Sequence, residues 1–194
     1  YGGAILSQDY PLERDVVDRR KVNVEKKAVI AAKAVELIRE NETIFLDIST
    51  TNIRIAELLV KKKRRVVVVS NMIDILQILA GSRSIEAIGT GGTMFRTVNG
   101  FMGAAAIQAI RQYSFDRAFI GTTGIDLSEG AITTFGVEDG LTKQAALESS
   151  RHKYVIMERD KFYFNDSYKF AHLDDIDGIV TDSEPDPATR QVLQ

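Results

Sequence analysis

The sequence predicts an α/β fold, a mostly parallel sheet flanked by helices, and three observations point to it. Short runs rich in β-branched residues alternate with amphipathic stretches from about residue 24 onward, the pattern of successive βαβ units. The uninterrupted valines of 66–69 suit a strand covered on both faces. Every sizeable glycine or hydroxyl cluster follows a β-rich run, where the carboxyl ends of parallel strands form a ligand crevice.

Taken in order, Val24 to Glu40 places Val24, Ala28, Ala31, Ala32, Val35 and Ile38 on one helical face, and Asn41 stops it. Thr43 to Leu46 reads as a strand ending at Asp47. A helix from Thr51 to Val60, the strand Val66 to Val69, and a helix from Met72 to Ala80 closed by Gly81 follow. Ile85 to Ile88 is a strand running into Gly89, Gly91 and Gly92. Phe101 to Tyr113 is predicted helical, and Phe115 to Ile120 is a strand ending at Gly121. The helix Val137 to Ser150 and the strand Lys153 to Met157 come next. Asp174, Asp175 and Asp177 form a helical turn and loop, Gly178 to Thr181 is the last strand, and Asp182 to Gln194 is a polar tail. Residues 1–20, with Pro11 and alternating charge, read as an extended connector, and 21–194 as one domain.

A chain of 194 residues, 44% hydrophobic and 27% charged, fits a single globular domain that needs no disulfide or metal to hold its core. It has no Cys, which excludes thiolate chemistry, and His152 and His172 lack metal-ligand spacing. No metal or cofactor is expected. No basic start precedes an apolar run, and no segment approaches the ~18–20 apolar residues of a membrane span, so a cytoplasmic protein without membrane contact is expected. The net charge of -2 and a pI of about 5.8 leave no field that would attract nucleic acid. The one dense basic run, Lys61 to Arg65, sits at a helix-to-strand turn, where cations complement a helix C-terminus.

Candidate binding residues lie in the turns. Asp47-Ile48-Ser49-Thr50-Thr51 sets a carboxylate and three hydroxyls where a strand passes into a helix, and unpaired N–H groups there with the helix dipole suit an anion. Plain helix capping by Ser or Thr explains the same letters and is the commoner reason for them. Gly89-Thr90-Gly91-Gly92 and Gly121-Thr122-Thr123-Gly124 each let backbone approach a ligand, or simply make tight turns. Lys143, Lys161 and Arg96 are possible phosphate counter-charges, although a lone surface cation is usually just solvated.

The ordered set of these segments resembles the sensor domain of the DeoR family of bacterial transcription regulators, over nearly the whole chain. Gly2-Gly3-Ala4 resembles the signature that follows the family's winged-helix DNA-binding region, which places that domain ahead of this fragment. Asp47-Ile48-Ser49-Thr50-Thr51 is similar to the family's Asp-x-Gly-Thr-Thr phosphate turn, with Ser49 in place of Gly. Ser70-Asn71, Gly91-Gly92 with Arg96, and Phe115 to Asp126 match in order. So do Gly130, Thr133-Thr134, Glu138 with Lys143, Glu158 with Lys161, and Ile176 to Asp182.

The resemblance implies a Rossmann-like fold similar to ribose-5-phosphate isomerase and a receptor for a phosphorylated sugar or related metabolite. It also implies a homo-oligomer that reaches operator DNA only through the N-terminal domain. It assigns phosphate to Ser49, Thr50 and Thr51 with Lys143 as counter-charge, sugar hydroxyls to Asp47 and Asn71, and close backbone approach to Gly91, Gly92, Gly121 and Gly124. Arg96 and Lys161 complete the expected ligand set. Where the isomerase carries acidic residues, this chain has Ile120-Gly121-Thr122-Thr123-Gly124, and none of these groups titrates near neutrality. A non-catalytic receptor is therefore expected. A divergent sugar-phosphate isomerase using Asp126, or an oligomerisation module with a vestigial pocket, are the alternatives.

Overall fold

The computed structural model describes residues 16–193. A short helix α1 (Val16–Arg19) turns at Asn23 into α2 (Val24–Leu37), followed by β1 (Thr43–Leu46), α3 (Thr50–Lys61), β2 (Val66–Ser70), α4 (Ile73–Leu79) and β3 (Ile85–Gly89). A hairpin of β4 (Thr93–Phe95) and β5 (Gly100–Met102) precedes α5 (Ala104–Ile110) and β6 (Phe115–Gly121). Then come β7 (Gly124–Asp126), β8 (Ala131–Thr134), α6 (Val137–Glu148), β9 (Ser150–Ile156), β10 (Tyr168–His172), β11 (Gly178–Val180) and α7 (Pro187–Val192).

Among the described residues, six strands form one parallel sheet in the order β11-β9-β6-β1-β2-β3. The chain builds outward from β1 through β2 to β3, then crosses back and adds β6 to the other flank of β1. The crossover direction reverses at β1, so the β1–β6 junction is the topological switch point, the usual ligand position of such sheets.

Strand alternation divides the core into two layers. Ile44 and Leu46 of β1 join Ile30, Ala34, Ile55 and Leu59 on one face, while Phe45 joins Ile110, Phe115 and Ala145 on the other. All three β1 residues are fully buried, which contributes roughly 1.5–3 kcal/mol for each large side chain. No helix among the described residues is long and apolar enough to cross a membrane.

The α/β sheet expected from the sequence is present, and the departures have local causes. The first long helix stops at Leu37 rather than Glu40, because Ile38 turns extended and buries its side chain. Residues 101–102 lie in β5 rather than in a helix, since Phe101 N–H donates to the Asn71 carbonyl at 2.7 Å and Gly103, at φ 88°, starts α5. A small antiparallel sheet, β10-β8-β7, was not expected at all. The polar tail contains α7, capped by Asp186 with Pro187 in its first turn. The extended-connector reading of 1–20 falls partly on residues 1–15, outside the described residues. Residues 16–19 are helical and Val16 is only 3% exposed.

Candidate functional site

Two loops meet where β1 and β6 lie side by side. After β1 the chain runs Asp47-Ile48-Ser49 into α3, and β6 ends at Gly121 and runs through Thr122-Thr123 into β7. Ser49 is the helix cap: its backbone is extended and its Oγ accepts from the Thr51 N–H at 3.2 Å. The amino end of α3 carries partial positive charge and N–H groups that lack intrahelical acceptors. It faces a cleft that is partly open to solvent. The lining comes from Ile48 to Thr51, from Gly121 to Thr123, and from Thr134, Phe135, Asp139 and Lys143. Arg19, Val98 and Lys161 complete it.

A buried ion network ties the two loops to α6. Lys143 Nζ donates to Asp47 Oδ2 and lies 3.4 Å from Asp139 Oδ2. Asp47 Oδ1 accepts from the Gly121 N–H at 3.0 Å and from Asn52 Nδ2 at 2.6 Å, and Thr134 Oγ1 donates to Asp139 at 2.6 Å. Two carboxylates thus share one ammonium in a low-dielectric interior. Burial pushes the Asp47 carboxyl above the usual carboxylate range. Burial also opposes the Lys143 charge, but Asp139 and Asp47 outweigh it and hold its pKa above the ordinary lysine value.

A second network carries an excess of positive charge. Glu158 is 5% exposed; its Oε2 lies 3.2 Å from Lys161 Nζ and its Oε1 lies 3.8 Å from Lys27 Nζ. Lys161 also donates to the Thr122 carbonyl at 2.8 Å, and Lys27 donates to the carbonyls of Arg19 and Val22 at 2.6 and 2.7 Å. Burial opposes the Glu158 charge, but Lys161 and Lys27 hold its pKa below the ordinary value. Burial pushes Lys27 down to about 8 against the pull of Glu158, with Lys161 and Arg19 adding to the shift.

Of the residues singled out from the sequence, Ser49, Thr50, Thr51, Gly121, Lys143 and Lys161 line this one cleft. Asp47 does not. It is 1% exposed, with both oxygens engaged in joining β1 to β6 and α6, which leaves it no access to a sugar hydroxyl. Lys143 faces the cleft but is ion-paired rather than a free counter-charge. Asn71 donates from Nδ2 to the Phe101 carbonyl and docks the hairpin. A Cβ on Gly92 would meet Ala106 at 3.0 Å, and one on Gly124 would meet the Phe164 carbonyl at 2.0 Å, so these glycines serve packing.

Gly91 and the exposed Arg96 lie with the β3–β4 turn and the hairpin, outside the lining. The hairpin reaches the cleft through Val98 instead. Arg19, Ile48, Val98, Thr122, Thr123, Thr134, Phe135 and Asp139 line the cleft outside the ligand set expected from the sequence. Asp139 is legible as the i−4 partner of Lys143, while Glu138 is exposed. Thr122 and Thr123 stood between two flagged glycines. Nothing in the sequence marks Arg19.

A family model described as the DeoR C terminal sensor domain matches residues 22–183. The chain is 32% identical over 184 residues to the uncharacterized HTH-type transcriptional regulator FruR of Bacillus subtilis, covering 95% of this chain and 72% of that protein. It is 30% identical over 193 residues to the glycerol-3-phosphate regulon repressor of Escherichia coli, covering 100% and 75%. Among solved structures, eIF2B delta from Chaetomium thermophilum overlays with a TM-score of 0.60 at 15% identity, covering 84% of this chain and 58% of that one. A ribose 5-phosphate isomerase from Methanocaldococcus jannaschii overlays at 0.52 and 13% identity, covering 72% and 54%. These structural likenesses bear on the fold alone, and they agree with the isomerase-like α/β sheet read from the sequence.

Proposed function

Because the chain belongs to the DeoR C-terminal sensor domain family, we propose that the β1–β6 cleft is a receptor site for a small phosphorylated sugar or related metabolite, whose occupancy modulates operator binding by an N-terminal DNA-binding domain. The observation that carries this is the convergence of the capped α3 amino end with Lys161 and Arg19 on one cleft at the switch point. Helix N–H groups, hydroxyls and cations together suit a phosphate. Ser49, Thr50 and Thr51 hold the phosphate, with Lys161 as its counter-charge, and Gly121 lets the Ser49 cap sit close against the end of β6. Lys143 supports the site from behind through Asp47 and Asp139. The Escherichia coli relative is named for the glycerol-3-phosphate regulon, which agrees with a phosphorylated ligand.

The cleft favours binding over proton transfer. Its lining carboxylate, Asp139, is tied to Thr134 and Lys143. Asp126, the candidate base of an isomerase, lies outside the lining, where Ser128 and Asn165 bond to it. The regulator acts as a homo-oligomer, since paired operator half-sites require matched copies, and ligand alters the spacing of those copies.

The test is a thermal-shift comparison of glycerol 3-phosphate and a panel of phosphorylated sugars against their unphosphorylated forms. A ligand at a hundredfold excess over Kd stabilises by roughly 2.7 kcal/mol, which raises Tm by about 5–10 °C at this size. One phosphorylated compound gives that shift, its free form does not, and Thr50→Val with Lys161→Met removes it. Equal shifts with free and phosphorylated forms, or an unchanged shift in the double variant, overturn the assignment.

A further inference from the structure

Arg19 stands apart from the other lining residues because of where it sits in the chain. It ends α1, a helix of four residues that precedes the first core helix and is the covalent route into the domain from residues N-terminal of 16. A single helical turn has little stability of its own. Among the contacts that hold it are Val16 in the core, the Lys27 ammonium on the carbonyls of Arg19 and Val22, and Arg20 on Asp74 at 3.1 Å. Lys27 in turn faces Glu158, which faces Lys161 in the cleft.

We infer that Arg19 contacts the anionic group of the bound ligand and that filling the cleft fastens the Val16–Val22 segment to the domain. This rests on the reading of the cleft as a phosphate receptor and adds to it the residue through which occupancy is felt outside the cleft. The guanidinium offers a planar fork of donors suited to two phosphate oxygens. A ligand bridging Arg19 to the α3 amino end adds a link between α1 and the sheet. Whatever binds the docked arrangement more tightly than the loosened one shifts the population toward it, by the ratio of the two affinities. Lys27 is the positioning residue: by holding the Arg19 and Val22 carbonyls it presents Arg19 to the cleft.

Amide hydrogen exchange reads the segment directly, because the N–H groups of Arg20, Lys21 and Val22 donate to the carbonyls of Val16, Asp18 and Arg19. The 194-residue chain is titrated with inorganic phosphate by calorimetry, and exchange of these three amides is followed with and without it. In the wild type, phosphate binds and slows their exchange severalfold. Arg19→Ala weakens phosphate binding at least tenfold and abolishes the slowing. Arg19→Lys, which keeps the charge and most of the stem, falls between and carries the comparison if the alanine variant does not fold. Arg151→Ala, which removes an exposed arginine that pairs with Asp116 and lies outside the cleft lining, binds phosphate within twofold of wild type. If wild type binds phosphate and both Arg19 variants match it, or the three amides do not respond, the role of Arg19 is overturned while the receptor reading stands. If wild type binds no phosphate and no phosphorylated compound shifts its Tm, the receptor reading falls and this inference with it.

Discussion

Lys143 is held between two buried carboxylates, so removing Asp47 takes away one of its two partners and leaves Asp139 as the other. In Asp47→Asn the amide keeps an acceptor for Gly121 N–H and Asn52, but its Nδ2 confronts the ammonium. The lost ion pair and the amide facing the ammonium are expected to cost roughly 1–3 kcal/mol in chemical denaturation, less than Lys143→Met, which leaves both carboxylates without their ammonium. Lys27 offers a pH test of known sign. Its pKa in the folded protein is about 8, below the 10.5 of an unperturbed lysine. Between those values the unfolded chain binds more protons, so the Lys27 contribution makes stability rise with pH from about 8 to 10.5, while below 8 the full cost of the buried charge is present. Subtracting the stability curve of Lys27→Met from that of wild type should leave this rise. A flat difference would mean that Lys27 is solvated. The ion partners of Lys143 show why residue roles are only partly legible in a sequence. Asp139 lies one helical turn away and shares a face, but Asp47 is 96 residues distant and meets Lys143 only through the sheet.

Loops and elements approach closely where the cleft forms, and glycine permits it. A Cβ at Gly121 would stand 2.8 Å from Ser49 Cβ, so Gly121→Ala pushes the α3 cap away from the β6 loop. The expected outcome is ligand affinity reduced about tenfold or more with a smaller loss of Tm, read by titrating the stabilising phosphorylated compound. Gly124→Ala meets the backbone carbonyl of Phe164 at 2.0 Å and should behave oppositely, with stability lost first. Strands β1 and β2 are legible because Thr43–Leu46 and Val66–Ser70 are apolar or β-branched almost throughout and end in turn residues. Strands β7, β8 and β10 are not, since Gly124–Asp126 and Tyr168–His172 carry glycine or charged residues, and in Ala131–Thr134 every side chain is buried, so no alternation appears. Helix α7 carries a readable start at Asp186-Pro187, but its polar composition masks it.

At the scale of the whole molecule, the sheet order decides which turns meet. The sequence places its glycine and hydroxyl clusters after strands, and that rule holds, yet only those after β1 and β6 share the cleft. Gly91 and Gly92 follow β3, the sheet edge, two strands from β1. Strand order is not written in any local pattern, which is why the alternation predicts the fold class and overfills the site. The crossover that returns β6 to the flank of β1 also has a consequence in time. Asp47 is synthesised 96 residues before Lys143, which at about 5–20 residues per second is an interval of roughly 5–20 s on the ribosome. Throughout it, Asp47 lacks the ammonium that will neutralise it and the first turn of α3 faces no opposing wall. Chains stalled before residue 143 should therefore gain no protease resistance from a phosphorylated ligand that protects the finished protein. A newborn molecule cannot sample the metabolite pool until its synthesis is nearly over, so its first reading is of conditions at the end of its translation.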